Sequence, residues 1–271
     1  MNENPYEIIE ETKDPILKQL RWNMAVGLQK IDNLKPSEYL IELIEDNIEG
    51  KKTTYEVEEA LHHHYSNIDL NQTENRDQHE CDISSARIAQ LLNDGSFSFR
   101  PIALQHIHGY LFKDIFPHAG KIRTYNISKK EPILNNATAT YSPFYQIEDT
   151  LKYDFNEEKE FDYSKLDKAG RIKRIAKFTS AIWQLHAFGD GNTRTTAVFI
   201  EKYLNTTGHN INNDLFKEHA LYFRNALVRS NYRNDEKNIT PTNEYLEKFF
   251  DNLLNEAKHE LSNDEMFVDI K

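Results

Sequence analysis

His186-Ala187-Phe188-Gly189-Asp190-Gly191-Asn192-Thr193-Arg194 brings a histidine, a carboxylate, two glycines and an arginine together in nine positions. Apolar residues recur at helical spacing on both sides of this stretch, before it at Ile175, Phe178, Ile182 and Leu185, and after it at Val198, Phe199, Tyr203 and Leu204. The pattern predicts a loop fixed between two packed helices. Because no other segment concentrates reactive side chains in this way, we expect the functional site at this loop.

The loop has the groups that phosphate and Mg²⁺ require. Gly189, Gly191 and Asn192 tolerate positive φ, so successive backbone N–H groups can point into one concavity ahead of a new helix. Asp190 offers a hard oxygen ligand to Mg²⁺, which takes few protein carboxylates and completes its shell with phosphate and water. Arg194 can neutralise the outer phosphates. The loop therefore predicts a phosphate site with one metal ligand.

His186 ends the preceding helical pattern and supplies a base. An imidazole with an ordinary pKa of about 6.5 can accept a proton from an incoming hydroxyl near neutral pH. Together with a phosphate site, such a base favours nucleotidyl or phosphoryl transfer to a protein side chain.

The stretch resembles the signature of Fic proteins, which reads His-x-Phe-x-Asp/Glu-Gly-Asn-Gly-Arg-x-x-Arg. The matching positions are His186, Phe188, Asp190, Gly191, Asn192 and Arg194. The resemblance implies an all-α fold, a Fic-type helical bundle with a small β-hairpin flap. It also implies an adenylyltransferase that moves AMP from ATP onto a Ser, Thr or Tyr hydroxyl.

The resemblance also implies a role for each residue of the loop. His186 would be the catalytic base and Asp190 the Mg²⁺ ligand. Gly191 and Asn192 would cradle the phosphates, and Arg194 would hold them. Phe188 would be a core anchor.

The loop departs from the signature at two positions. Thr193 replaces the second glycine, and its hydroxyl is expected to join Gly189 in contacting the nucleotide. Ala197 replaces the second arginine, which in the family orients the γ-phosphate and pairs with an inhibitory glutamate. Arg224 or Arg229 could supply the missing cation from another helix. The alternative is that these two arginines cover a surface or pair with acids.

Two further segments resemble the family. The run His118–Ile127 resembles the start of the flap, which predicts a Lys129-Lys130 turn and a return strand over Thr138–Tyr141. This hairpin is the expected docking element for a target protein. The run Tyr222–Leu227 resembles the helix that lines the adenine side of the pocket.

That second resemblance assigns nucleotide contacts to Tyr222 and Asn225. Arg229 is expected to join them, as a replacement for the cation missing at Ala197.

The resemblance divides the chain into an N-terminal helical antitoxin-like region, 1–75, and a Fic domain with C-terminal helices, 76–271. The polar stretch Ser66–Glu80 lacks periodicity and is the expected boundary. Alternatively, the N-terminal region is not a separate regulatory module and only completes the helical core.

The N-terminal region carries two weak versions of the family's inhibitory motif, one centred on Asp32 and the other on Glu58. Loss of the arginine at Ala197 and decay of the glutamate are consistent with each other, because an unpaired buried charge is costly. We therefore expect autoinhibition by this ion pair to be weakened or replaced.

Composition restricts the function further. The chain has 271 residues and a net charge of -11, which argues against a general nucleic-acid binder. The basic run Lys168–Arg174 is typical of a solvated helix face. Cys81 is the only cysteine, no apolar run reaches the length of a membrane span, and the start Met1–Asn4 lacks a signal-peptide pattern. A cytoplasmic protein with no membrane contact is expected.

The other prominent histidines and Trp183 have structural interpretations. Three consecutive residues, His62 to His64, point about 100° apart on a helix and cannot easily converge on one metal ion. His108 is expected to make a hydrogen bond inside the bundle, and Trp183 to pack in the core.

Three functions stay open from the sequence. The preferred one is AMP transfer from ATP, with Mg²⁺, to an unknown target protein or to the chain itself. The alternatives are a catalytically weakened Fic-fold module that binds a nucleotide or target, and a Doc-like kinase. The acceptor residue, transfer of another nucleotide such as UMP, and the oligomeric state, with a homodimer among the options, are also open.

Overall fold

A computed structural model describes residues 11–209, 211 and 214–269 of the chain. Within them it has ten α-helices and one two-stranded sheet, which confirms the all-α fold with a small hairpin. The helices are α1 (Pro15–Gly27), α2 (Glu38–Ile48), α3 (Thr54–Tyr65), α4 (Thr73–Asn93), α5 (Pro101–Phe112), α6 (Ile147–Lys159), α7 (Lys168–Gln184), α8 (Asn192–Thr206), α9 (Asp214–Asn231) and α10 (Glu244–Asn255). The strands are β1 (Ser128–Glu131) and β2 (Ala137–Thr140).

Local sequence explains where the N-terminal helices begin. Asp14 caps α1 by accepting a hydrogen bond from the Ile16 N–H at 2.9 Å, and Pro15 occupies the first helical position, where no N–H is needed. Helix α3 begins with a capping box, in which Thr53 and Glu56 satisfy each other's backbone N–H groups.

The N-terminal helices pack directly on the rest of the chain. Helix α1 lies against α4 and α9, and α5 lies against α8. Gly27 at the end of α1 allows this approach, because a Cβ there would lie 2.5 Å from the Lys217 Cα. The expected boundary after residue 75 lies inside α4, and the division into two regions stays a prediction.

The hairpin differs in detail from its prediction. Lys129 and Lys130 were predicted to form the turn, but they lie within β1, where Lys129 pairs with Ala139 and Lys130 with Thr138. The chain instead reverses through Pro132–Leu134 and two asparagines with positive φ that follow it. Residues 122–127 form no strand. Asparagine adopts positive φ more readily than other non-glycine residues, which explains the position of the turn.

Two other sequence expectations can be compared with the structure. The polar stretch Ser66–Glu80 is irregular only at its start, because α4 begins at Thr73. The start Met1–Asn4 lies outside the described residues. None of the described helices has the length and apolarity needed to cross a lipid bilayer.

Candidate active site

The predicted loop lies between α7 and α8 and is braced from within. Asn192, the first residue of α8, accepts a hydrogen bond from the Phe188 N–H through Oδ1 and donates one to the Phe188 carbonyl through Nδ2, both at 2.9 Å. This pair of bonds closes the loop into a rigid turn. The Asn192 side chain thus holds the backbone of the loop, and the predicted role of Asn192 in the phosphate cradle stays a prediction.

Two glycines are required by the geometry of the turn. Gly191 has φ of +70°, and a Cβ there would lie 2.3 Å from the Phe112 ring. At Gly189, a Cβ would lie 2.9 Å from the Tyr125 hydroxyl. The close approach of these side chains explains why both positions are glycine.

His108 on α5 supports the loop from below. Its Nε2 donates to the Asp190 carbonyl at 3.0 Å, while its Nδ1 accepts from the Gly120 N–H at 2.8 Å. Its ring stacks on Phe188 with 3.9 Å between centroids. Burial lowers the pKa of His108 to about 4, so it is neutral and keeps one tautomer. The predicted structural role of His108 agrees with this geometry.

Arg123 joins the hairpin segment to the loop. Its guanidinium donates to the carbonyls of His186 at 2.6 Å, Ser142 at 2.5 Å and Leu185 at 3.0 Å, and its backbone N–H donates to the Ala187 carbonyl at 2.9 Å. The sequence placed Arg123 in a family-like run but gave no indication of this function.

The hydrogen bonding of His186 leaves one ring nitrogen as a proton acceptor. Its Nδ1 donates to the Trp183 carbonyl at 2.8 Å, so in the neutral ring Nε2 carries the lone pair. Burial lowers the pKa of His186 to about 3, and the charges of Arg224 and Lys129 contribute, whereas the Trp183 carbonyl opposes the shift. The imidazole is therefore neutral at physiological pH, which a general base requires.

A cavity of about 270 Å³ opens over the loop. It is lined by Asp32, Ile127, Ser128, Lys129, Tyr141, His186, Gly189, Asp190, Gly191, Asn192, Thr193 and Arg224. Six predicted site residues, His186 and residues 189–193, thus line one cavity. The first N–H groups of α8, which have no partner within a helix, begin at its floor. Such a helix start suits an anion.

The donors around this cavity fit Mg²⁺ bound together with phosphate. Asp190 is exposed, and its Oδ1 accepts a hydrogen bond from the Gly191 N–H at 2.7 Å. Asp32 is the other carboxylate of the lining. Residues 11–209, 211 and 214–269 contain no cluster of three or more metal-ligating side chains. One or two carboxylates are the usual protein share of a Mg²⁺ site completed by phosphate oxygens.

Thr193 and Arg194 are held by other contacts. The Thr193 hydroxyl accepts a hydrogen bond from Trp183 Nε1 at 2.9 Å. Arg194 is buried outside the cavity lining and donates to Glu80 at 2.7 Å and to Gln29 at 3.0 Å, with Asp32 at 3.1 Å. The arginine predicted to hold phosphates is therefore bound to side chains that precede the hairpin in the chain.

Arg224 is the buried arginine that lines the cavity. It lies on α9, and its Nη2 is 2.7 Å and 2.9 Å from the two carboxylate oxygens of Glu131. The sequence offered Arg224 and Arg229 as alternatives for the cation missing at Ala197. The structure brings only Arg224 to the cavity.

Tyr222, Asn225 and Arg229 do not line this cavity. The Tyr222 hydroxyl donates to the Tyr245 carbonyl at 3.1 Å, and Asn225 donates to Asn263 at 2.8 Å. Arg229 is buried, and its Nε and Nη1 make no hydrogen bond. These three residues face the C-terminal part of the chain and are not included in the nucleotide site proposed below.

A larger cavity, about 660 Å³, lies elsewhere, between α4, α5 and the loop that joins them. It contains none of the residues of the His186 loop. Size alone favours this cavity, but the smaller one joins a base, a helix N-terminus, a carboxylate and a cation, which is the chemistry of a reaction site.

Comparison with known proteins agrees with the fold and the loop. Residues 98–204 match the sequence profile of the Fic/DOC family. A search of curated protein sequences finds no match. Among solved structures, the chain is similar to the N-terminal FIC domain of Bep8, a VirB-translocated effector protein from Bartonella sp. 1-1C. The two share 19% identity with a TM-score of 0.55, over 70% of this chain and 88% of that chain.

The chain is also similar to a Fic family protein from Desulfovibrio desulfuricans G20. Here the identity is 12% and the TM-score 0.50, over 94% of this chain and 76% of that chain. At these identities the likeness shows the fold.

Proposed function

Because the chain carries a Fic/DOC-family domain at residues 98–204, and such domains are typically transferases, we propose that it is a protein adenylyltransferase. It would transfer AMP from ATP to a hydroxyl of a target protein or of the chain itself. The observation that carries the proposal is the neutral His186, whose Nδ1 is held by the Trp183 carbonyl beside the start of α8.

In the proposed reaction the acceptor hydroxyl loses its proton to His186 Nε2 as its oxygen attacks the α-phosphorus of ATP. The new bond joins that oxygen to phosphorus, and the bond from the α-phosphorus to the bridging oxygen breaks. Pyrophosphate leaves with the bond electrons. A base in this position typically contributes about 10²–10⁴-fold to a rate.

The phosphates would lie over the residues that already form the cavity floor. The first N–H groups of α8 and the turn at Gly189 and Gly191 would receive the phosphate oxygens, and Arg224 would neutralise their charge. Asp190 would hold Mg²⁺, which when bound offsets charge on the phosphates and the leaving group. The Thr193 hydroxyl can still donate a proton while it accepts one from Trp183.

The first test uses ATP labelled at the α-phosphate or, separately, at the γ-phosphate, with Mg²⁺ and a bacterial lysate as the source of targets. His186→Ala is the catalytic variant, and His106→Ala, an exposed histidine on α5, is the matched control. We expect α-label on protein with the wild type and with His106→Ala, and none with His186→Ala. Absence of α-label transfer from a wild type that binds ATP would refute adenylylation.

A second candidate is a restrained or weakened module that binds nucleotide or target. The contacts of Arg194 with Glu80 and Asp32 favour it, because they withhold the signature arginine from the cavity. Residues 1–75 would then serve as the antitoxin-like region. Binding of ATP without transfer of either label would support this candidate, and γ-label on protein would indicate a Doc-like kinase.

A further inference from the structure

Glu131, the last residue of β1, has a fully buried carboxylate that serves two residues of the cavity wall. Its Oε1 accepts a hydrogen bond from the Tyr141 hydroxyl at 3.1 Å, and Arg224 Nη2 lies 2.7 Å from its Oε2. A buried carboxylate is costly unless it is paired and hydrogen-bonded, and here both requirements are met. Glu131 therefore fixes Tyr141 and Arg224 relative to one another.

Tyr141 carries this constraint to the base. Its ring stacks on the His186 imidazole with 3.5 Å between centroids and 18° between planes. Trp183 meets the same imidazole edge-on at 4.5 Å between centroids. Burial raises the pKa of Tyr141, and the neighbouring Glu131 raises it further, so the hydroxyl keeps its proton and donates. One face of the imidazole is thus covered by a side chain that a hairpin carboxylate holds.

We propose that Glu131 and Tyr141 are positioning residues through which the hairpin orients both the base His186 and the cation Arg224. Helix α7 alone does not fix the imidazole, because His186 follows its end and has φ of 41°. The Trp183 carbonyl sets the tautomer, and the Tyr141 ring sets the plane of the ring. This inference rests on the proposed function for its kinetic consequence and on the structure alone for its spectroscopic one.

Three variants distinguish the orientation of His186 from the orientation of Arg224. Tyr141→Leu removes the ring that covers His186. Tyr141→Phe keeps the ring and removes only the bond to Glu131. Glu131→Gln keeps an acceptor for Tyr141 but gives up the ion pair with Arg224. Tyr145→Leu and Glu148→Gln, which change an exposed tyrosine and an exposed glutamate of the chain that follows the hairpin, are the matched controls.

The spectroscopic test follows the His186 Nδ1 proton by NMR in each folded variant. We expect its exchange with solvent to be about tenfold faster in Tyr141→Leu, because loss of the ring allows the imidazole to leave the Trp183 carbonyl. Tyr141→Phe, which keeps the ring but loses the bond to Glu131, should exchange at a rate between those of the wild type and Tyr141→Leu, and both controls should exchange at the wild-type rate. Unchanged exchange in Tyr141→Leu would overturn the positioning role whether or not the chain transfers AMP.

The kinetic test measures kcat and KM for ATP per mole of folded protein. Tyr141→Leu should lower kcat about tenfold or more with little change in KM, and Tyr141→Phe should restore most of kcat. Glu131→Gln should raise KM about threefold or more, since Arg224 loses its anchor. A fall in thermal stability with kcat and KM unchanged would reduce both residues to a structural role. Failure of AMP transfer in the wild type would overturn the proposed function and leave the NMR result standing.

Discussion

Arg194 and Arg224 are two buried arginines beside the same loop, and they are held by different parts of the chain. Arg194 lies in the first turn of α8 and contacts acids that precede the hairpin, Glu80 at 2.7 Å and Asp32 at 3.1 Å. Arg224 comes from α9 and pairs with Glu131 of the hairpin. Only Arg224 lines the cavity. A cation that belongs to a sequence signature is therefore not necessarily the cation that reaches the site.

The contrast follows from the packing around each side chain. The Arg194 guanidinium lies over the Phe112 ring, 4.7 Å from its centroid, and donates to Gln29. These contacts direct it toward the 3-10 turn that follows α1, Leu28–Asp32, and toward α4 and α5. With Ala197 replacing the second signature arginine, the cavity receives its buried arginine from another helix. The ion pair with Glu131 offsets the desolvation cost of burying that arginine and fixes the direction of its side chain.

The largest effect should come from Arg224→Ala. It leaves Glu131 buried without its ion pair, which typically costs about 3–5 kcal/mol of unfolding free energy. It also removes the buried cation of the cavity. We expect a lower urea midpoint and a loss of ATP affinity measured by calorimetry.

Arg224→Ala combined with Glu131→Leu, which removes both charges, should recover much of the stability but not the ATP affinity. Equal ATP affinity in wild type and the double variant would show that Arg224 does not contact the nucleotide.

The next effect concerns the release of Arg194. Asp32→Asn combined with Glu80→Gln removes both negative partners and leaves Gln29 as a weaker one. If these acids restrain Arg194, the variant should bind ATP about tenfold more tightly, because a freed guanidinium can reach the phosphates. Glu74→Gln, an exposed position on the same helix as Glu80, is the control. Unchanged or weaker ATP binding would contradict a restraint on Arg194 by these acids.

A third effect, on stability rather than on ATP affinity, should follow from changing the turn that begins α8, the helix of Arg194. Gly191→Ala places a Cβ 2.3 Å from the Phe112 ring at φ of +70°. Gly208→Ala meets nothing within 4 Å at φ of +78° and reports the backbone strain alone. We expect Gly208→Ala to cost about 1 kcal/mol of unfolding free energy, and Gly191→Ala about 1–3 kcal/mol more. Equal losses would show that Phe112 moves aside easily.

The sequence predicted the loop because its residues are close together in the chain. It did not identify Glu131 or Tyr141, since a long-range contact to the loop leaves no local pattern. The turn error was avoidable, because Pro132 and the pair Asn135-Asn136 are stronger turn signals than two lysines.

Helical geometry also separates the arginines of α9. Tyr222, Asn225 and Arg229 are spaced three and four residues apart and share one face of that helix. Arg224 lies about 100° away from Asn225. The four side chains therefore had little chance of meeting in one cavity. Helical spacing alone places Arg224 and Arg229 on different faces of α9. The sequence does not show which of these faces meets the His186 loop.

The smallest expected effect is a change in the pKa of His186 when either arginine is replaced. Burial lowers the pKa of His186 to about 3 in the folded state, with a contribution from Arg224, whereas the unfolded value is about 6.5. The unfolded chain therefore binds a proton first, and this residue lowers stability as pH falls from about 6.5 toward 3. Arg224→Gln should raise the folded pKa in an NMR titration and weaken this loss. Arg194→Gln, which removes an arginine outside the cavity lining, should leave the pKa of His186 within a few tenths of the wild type. A larger shift with Arg194→Gln than with Arg224→Gln would reverse the assignment of the two arginines.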